Sequence, residues 1–398
     1  MHFDNLKQNV NEIVSTEITR HEHDTVQATS NQAELLRWHY RLGHTSFKVI
    51  RAMAAHGVLP KRILDCKIPK CSACLYGKST KVPWRTKSPL NKRSFPVITK
   101  PGDCISVDQL ESPTTLGLIA QIKGRLTTSR YNCATIFVDH YSRLSYVYLQ
   151  KSTSGEETIL AKEAFERYCA SHNVTVRNYH ADNGRFADNL FMAHVKKKGQ
   201  EISFCGVSAH FQNGIAEKRI RDLQEQARTS LLHAKARWPE AITSNLWPYA
   251  LRAANETRNI MSTHDGGPSA IEKFSGVAVQ PQLRHVHTFG CPVYALNSVL
   301  QDGKSIPKWD SRARMGIYLG PSPKHSRSVS LVLSLDTGLC SPQFHVRHDE
   351  FFETVGDGKP LTTSNWQFLT KFTSRRKVSN SEGATVTPII PTHEQQEL

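Results

Sequence analysis

The middle of this 398-residue chain is expected to fold as an α/β domain with one mixed sheet flanked by helices. A small helical segment precedes it and a small β module follows. Three observations lead there. Strand-like and helix-like stretches alternate from 103 to about 260, the pattern of a layered α/β domain. Before residue 79, two histidines and two cysteines fall into pairs in a segment of about 45 residues, too short for a large core. From 287 onward, short β-branched and aromatic runs alternate with turns, as in small barrels or sandwiches.

Residues 1–32 are polar and aperiodic, a disordered lead-in. In 33–78, Glu34–Tyr40 reads as a short helix ended by Gly43, because glycine enters the left-handed region without a Cβ clash. Thr45 or Ser46 can cap a second helix through Ala55, closed by Gly57. Residues 79–100 form a basic linker and 101–262 the central domain. Cys104–Leu110, Ala134–Asp139 and Ser145–Leu149 read as strands, Glu156–Cys169 as a helix, and Thr175–His180 as a strand. A helix at Asn189–Lys198, a strand at Glu201–Cys205, a long helix from Gly214 and another over Trp247–Arg258 complete it. Residues 263–286 are broken by Gly and Pro and read as a linker; 287–353 is the β module; 354–398 is expected to be disordered.

The chain holds 51 Lys+Arg against 35 Asp+Glu, a formal charge of +16. Such a surplus points to a polyanionic partner. Cys66 to Gly102 carries nine Lys/Arg and no acid, with Lys78, Lys81, Arg85 and Lys87 at its centre. A run of this kind neutralises phosphates and releases their counterions. No apolar run approaches a membrane span, and the start lacks the apolar stretch of a signal peptide. Nine unevenly spaced cysteines argue for a reducing compartment over a secreted disulfide scaffold.

His39 and His44 are five residues apart, about 500° of helix, so a continuous helix would aim them apart. The break at Gly43 lets both face one point. Cys71-x-x-Cys74 is a knuckle whose thiolates chelate one ion, and the four side chains make the closed tetrahedral shell of structural Zn²⁺. Cys66 is a competing ligand with a less suitable gap. Elsewhere, Asp108 interrupts an apolar strand, Asp182 follows a strand in Asp182-Asn183-Gly184, and Glu217 stands in the first turn of the long helix. Singly, each has an ordinary reading as ion-pair partner, turn residue or helix-dipole partner. Together they make a hard oxygen set suited to Mg²⁺ or Mn²⁺. Asp139 reads as a turn residue, and Asp336-Thr337-Gly338 as a hairpin turn rather than a protease signature.

A strand Asp, an Asp-Asn-Gly after a later strand, and Gln212-Asn213-Gly214-Ile215-Ala216-Glu217 opening a helix resemble the Asp-Asp-Glu core of retroelement integrases. The 34 residues between Asp182 and Glu217 (217 − 182 − 1) are close to that family's usual spacing. Trp38–His44 with Cys71–Lys78 resembles the zinc-binding pre-integrase segment of copia-type LTR retrotransposons, and Val138–Arg143 resembles the same family. His287–Tyr294 and Arg314–Gly320 resemble its SH3-like C-terminal domain. Two departures stand at the rim: Ser208–Phe211 where the family carries Pro and Thr, and Arg185-Phe186 in place of a Gly and an acid.

The resemblance implies an RNase H-like core, an SH3-like β-barrel and two catalytic ions held by Asp108, Asp182 and Glu217. It also implies 3′-end processing and joining of DNA. Double-stranded DNA (element ends and target) and a second copy of the chain would be the partners, and the nucleus the location after a cytoplasmic particle stage. Arg221 and Arg228 share the face of Glu217 and are candidate phosphate contacts. The rival reading is a DNA-binding remnant without catalysis.

Overall fold

The computed structural model describes residues 31–79, 98–122, 124–182, 184–205, 213–262, 266–278, 283–356 and 365–373. Helices α1 (Asn31–Arg41), α2 (Phe47–Ala55) and α3 (Ser72–Gly77) form the N-terminal module. Ser46 caps α2 by accepting from the Val49 N–H, which the sequence anticipates. Lys81, Arg85 and Lys87 lie outside the described residues, as do 1–30 of the lead-in.

The central sheet contains β1 (Ile105–Glu111), β4 (Cys133–Asp139), β5 (Ser145–Gln150), β6 (Asn178–Ala181) and β7 (Glu201–Phe204). A separate two-stranded ribbon, β2 (Gly117–Leu118) with β3 (Arg130–Tyr131), lies between β1 and β4 in sequence. The sheet order is β5-β4-β1-β6-β7. The first three strands pair antiparallel, while β1–β6 and β6–β7 pair parallel. This is the mixed sheet expected for the central domain. Every residue of β4 is buried, as expected where helices cover both faces.

Alternation within β1 decides what each face holds. Ile105 and Val107 join one core with Phe137, Phe165, Tyr179 and Phe191, under α4 (Gly155–Ala170) and α5 (Asn189–Lys197). Ser106 and Asp108 therefore point to the other face. That face is crossed by α6 (Gly214–Arg237) and α7 (Trp247–Ile260), whose Leu223, Ala227, Leu251 and Ala254 build the second core with Ile136 and Val138.

Two expectations need correction. The stretch 263–286 is not only linker: α8 (Ala270–Ser275) is opened by a capping box between Ser269 and Glu272, and buries Ile271 and Phe274. The β module, β8 (Pro292–Leu296), α9 (Ser298–Gln301), β9 (Ala313–Pro321), β10 (Ser330–Ser334), β11 (Cys340–Gln343) and β12 (Val346–His348), forms a sheet in the order β11-β10-β9-β8-β12. Its edge strands β11 and β12 do not pair with each other among the described residues. The tail, expected to be disordered from 354, includes α10 (Trp366–Leu369). Trp366 is fully buried and donates its indole N–H to the Ala241 carbonyl at 2.8 Å; one large aromatic with a satisfied polar atom suffices to anchor a short segment. Asp336-Thr337-Gly338 is the turn between β10 and β11, with Gly338 at φ 68°.

Candidate functional site

The described residues hold two chemically distinct centres. In the first, α1 ends at Arg41 and the chain reverses through Gly43 and His44, both at φ 59°. The left-handed turn swings His44 back toward His39, their ring centroids 4.9 Å apart. The donor atoms of His39, His44, Cys71 and Cys74 all lie within 4.8 Å of one another. Cys74 Sγ stands 3.2 Å from His39 Nε2, and His44 Nδ1 stands 3.4 Å from Cys71 Sγ and 3.7 Å from Cys74 Sγ. Bonds of about 2.3 Å to sulfur and 2.0–2.1 Å to nitrogen at a tetrahedral angle set S···N near ~3.5 Å, so the set fits one Zn²⁺.

Neighbouring groups prepare these ligands. His39 Nδ1 lies 2.7 Å from the Thr45 carbonyl; a carbonyl only accepts, so Nδ1 carries the proton and Nε2 offers its lone pair to the ion. Burial, then the charges of His233 and His39, hold His44 well below the ordinary histidine range, in the neutral form that binds metal. The Cys71 thiol is pushed up by its hydrogen bond with Cys74 and by burial, so the thiolate needs a cation to form. Cys66 donates to the Ile63 carbonyl instead and is not part of the set.

The module seats on α6. Gln226 donates to the Leu42 carbonyl at 3.2 Å, and a Cβ on Gly43 would lie 2.3 Å from its amide nitrogen. Gly77 packs as closely on Thr229. Two residues expected to touch DNA are engaged here: Arg228 Nε donates to the Gly77 carbonyl at 2.9 Å, and Lys78 Nζ donates to the His44 carbonyl. Arg221 is exposed.

The second centre lies across the polar face of the sheet. Asp108 stands on β1, with one oxygen accepting from the Gln109 N–H at 2.8 Å. Asp182 directly follows β6, and Glu217 is in the first turn of α6. Register relates the first two: Ile105 pairs with Tyr179 and Ser106 with His180, so two further rungs bring Asp108 level with Asp182. Asn213, at the foot of α6, donates to the Val107 carbonyl at 3.0 Å, which fixes the start of that helix beside β1. All three carboxylates are half-buried. Cys205 stands beside Asp182, its N–H donating to the Ala181 carbonyl at 3.0 Å; burial, and then the charges of Asp182 and Glu217, push its thiol up.

Among the described residues the three carboxylates are not drawn within reach of a single ion as the His/Cys set is. Neither Asp182 nor Glu217 has a cationic partner within ion-pair distance among the described residues. Asn183 and 206–212, which flank the centre, lie outside them. Asp139 is the turn residue expected, accepting from the Gly102 and Ser142 N–H groups.

Three groups were not singled out from sequence. Cys205 and His180 sit beside the carboxylates, and Glu350 joins the N-terminal module to the β module. A helix-and-strand reading offers no signal for Glu350, because its partners Arg41 and His287 are 309 and 63 residues away. Period-two alternation from Asp182 back to His180 was available for the other two.

Comparison with known proteins agrees with this organisation. Residues 12–79 match the GAG-pre-integrase domain model, a match that starts inside the expected lead-in. The chain is 29% identical over 332 residues to the "Retrovirus-related Pol polyprotein from transposon RE1" of Arabidopsis thaliana, covering 81% of this chain and 20% of that protein. To its RE2 counterpart it is 27% identical over 322 residues, covering 79% and 19%. The chain thus spans about a fifth of the length of the curated relatives it matches. Among solved structures, the HTLV-2 integrase catalytic core in complex with magnesium gives a TM-score of 0.30 at 15% identity, over 44% of this chain and 97% of that one. A simian T-cell lymphotropic virus intasome chain gives 0.34 at 16%, over 66% and 84%. The chain is thus similar to the GAG-pre-integrase domain over residues 12–79 and, along most of its length, to retrovirus-related Pol polyproteins of plant transposons.

Proposed function

We propose that this chain is a DNA-integrating polynucleotidyl transferase, with Asp108, Asp182 and Glu217 as its catalytic and metal-binding residues. The observation that carries the reading is the placement of three half-buried carboxylates on a strand, at the end of the strand paired beside it, and in the first turn of a helix tied to that first strand through Asn213. Three hard oxygen donors suit Mg²⁺ or Mn²⁺. Such ions, held by these residues, would supply activation of the attacking oxygen and charge stabilisation at the leaving oxygen of an in-line phosphoryl displacement. The protein's part is placement. Asp108 is fixed by a strand paired on both sides, Glu217 by a helix tied to that strand through Asn213, and Asp182 by the rung beside Cys205. Water as nucleophile trims a DNA end; the exposed 3′-hydroxyl then joins that end to target DNA.

The basic run 66–102 and the exposed Arg221 are assigned to duplex phosphates, and a second copy of the chain to the assembly holding two DNA ends. The His39–His44–Cys71–Cys74 set is assigned to structural Zn²⁺, and the working location to the nucleus after a cytoplasmic particle stage. The rival reading, a DNA-binding remnant, draws on Arg185-Phe186 at the rim. Phe186 is buried in the core and Arg185 pairs with Glu111 at 2.6 Å, so that departure is absorbed without engaging the three carboxylates.

Asp182→Asn separates the two readings. In a strand-transfer assay with element-end duplexes and Mn²⁺, wild type joins ends and the variant falls by roughly 10²–10³-fold or more. Salt-sensitive duplex binding stays near wild type, because its charges lie elsewhere. Wild type that binds DNA but never nicks or joins it would establish the remnant.

A further inference from the structure

Beside the proposed catalytic carboxylates lies a second group of soft ligands. In the parallel ladder of β6 with β7, His180 pairs with Ser203 and Ala181 with Phe204. The Cys205 N–H donates to the Ala181 carbonyl at 3.0 Å, which carries the ladder one rung further and sets Cys205 beside Asp182. Residues two apart share a face of a sheet, so His180 lies on the same side, one row below.

The Cys205 sulfur is 3.7 Å from His180 Nε2. That separation matches the S···N distances of the N-terminal set and the ~3.5 Å of two ligands sharing one tetrahedral ion. The imidazole is oriented as His39 is. The Ser203 hydroxyl donates to the Tyr179 carbonyl and lies 2.9 Å from His180 Nδ1. Its oxygen therefore accepts from Nδ1–H, and Nε2 turns its lone pair toward the sulfur. Cys205 and His180 are buried, while Asp182 is half-buried and opens to the outside. An ion arriving past Asp182 meets the Cys205 thiol, which gives up its proton on binding, and an imidazole already in place; the Asp182 carboxylate, outside ligand reach of the pair as it stands, swings in as third ligand.

We propose that Cys205, His180 and Asp182 form a second metal site, selective for thiophilic divalent ions such as Zn²⁺ or Cd²⁺, whose occupation withdraws Asp182 from the catalytic group. Thiolate and imidazole favour such ions over Mg²⁺, which takes oxygen and keeps its waters. With three protein ligands it binds more weakly than the four-ligand set, so it fills second. The inhibitory consequence rests on the catalytic reading of Asp182; the binding itself does not.

The test is metal content of the full chain after exposure to excess Zn²⁺ and gel filtration in Mg²⁺ buffer. Wild type should retain two zinc ions per chain, and Cys205→Ser and His180→Gln one each. Cd²⁺ titration of wild type should give thiolate-to-cadmium absorption in two phases, the later one missing from Cys205→Ser. If end joining is measurable, the later phase should coincide with its loss in wild type, and Cys205→Ser should resist. One zinc per wild-type chain, or two in Cys205→Ser, overturns the site. Two zinc ions without any end joining would leave the site standing and overturn the catalytic reading instead.

Discussion

Removing metal from the His39–His44–Cys71–Cys74 set will unfold the N-terminal module and lower the stability of the whole chain. The core private to this module is small: Leu36, Tyr40, Cys71 and Ala73. Structural Zn²⁺ contributes about 10–16 kcal/mol in small zinc-folded units, far more than such a core supplies. Unfolding there also strips Gly43 and Gly77 from their seats on α6, and Leu35, Ile50 and Met53 from the core under α4. Cys74→Ser, or a strong chelator on wild type, should reduce helix by circular dichroism and lower the melting temperature by well over ten degrees (~2–4 °C per kcal/mol in a domain of this size). Equal helix and equal melting with and without chelator would show that packing alone holds the module.

Glu350→Gln should be the most damaging single substitution outside the two metal centres. The carboxylate is buried, with 4% of its side chain exposed, and takes both Nε and Nη2 of Arg41 together with His287 Nδ1 at 2.8 Å. Arg37 adds a fourth contact at 3.2 Å. These bonds tie α1 to the β module across 309 residues. Burial alone would raise this carboxyl; the hydrogen bonds of His287 and Arg41, with the charge of Arg41, outweigh it and hold it at about 2, against a usual 4.5. That difference amounts to about 3 kcal/mol, and removing one partner of a buried pair costs about 3–5 kcal/mol because the other charge is stranded. The Arg41→Met, Glu350→Leu double variant should lose less than the two single changes added together.

The pH dependence follows with a definite sign. A carboxyl depressed in the fold contributes stability that is complete above its unfolded value and lost as pH falls from 4.5 toward 2. His348, stacked on His287 at 3.6 Å, is lowered to about 3 by burial and by His287. It protonates in the unfolded chain first, so stability begins to fall below about 6.5. Urea midpoints from pH 7 to 3 should decline for wild type, with the portion below 4.5 diminished in Glu350→Gln. A flat profile in that window would contradict the role of Glu350.

Much of this was legible because its determinants are local. Ser46 before a helix, the Gly43 break between two histidines, and Leu223 and Ala227 along α6 each act within a few residues of themselves. The same locality explains the misses. Trp366 sits in a Ser/Thr-rich tail, and only its seat under Ala241, 125 residues back, makes it core. Arg228 reads as an exposed basic residue, and its bond to the Gly77 carbonyl, 151 residues away, has no local signal.

The measurement that tests the three-carboxylate site most directly is a thermal melt of the full chain, wild type and Asp108→Asn, in EDTA and in Mn²⁺. Converging carboxylates repel one another in the fold and separate on unfolding, so without divalent ions Asp108→Asn should melt no lower than wild type. Wild type should gain about 2.7 kcal/mol at Mn²⁺ a hundred times its Kd, and the variant should lose most of that gain. A variant that melts lower in EDTA and gains as much from Mn²⁺ as wild type would show three unrelated acids in place of one metal site.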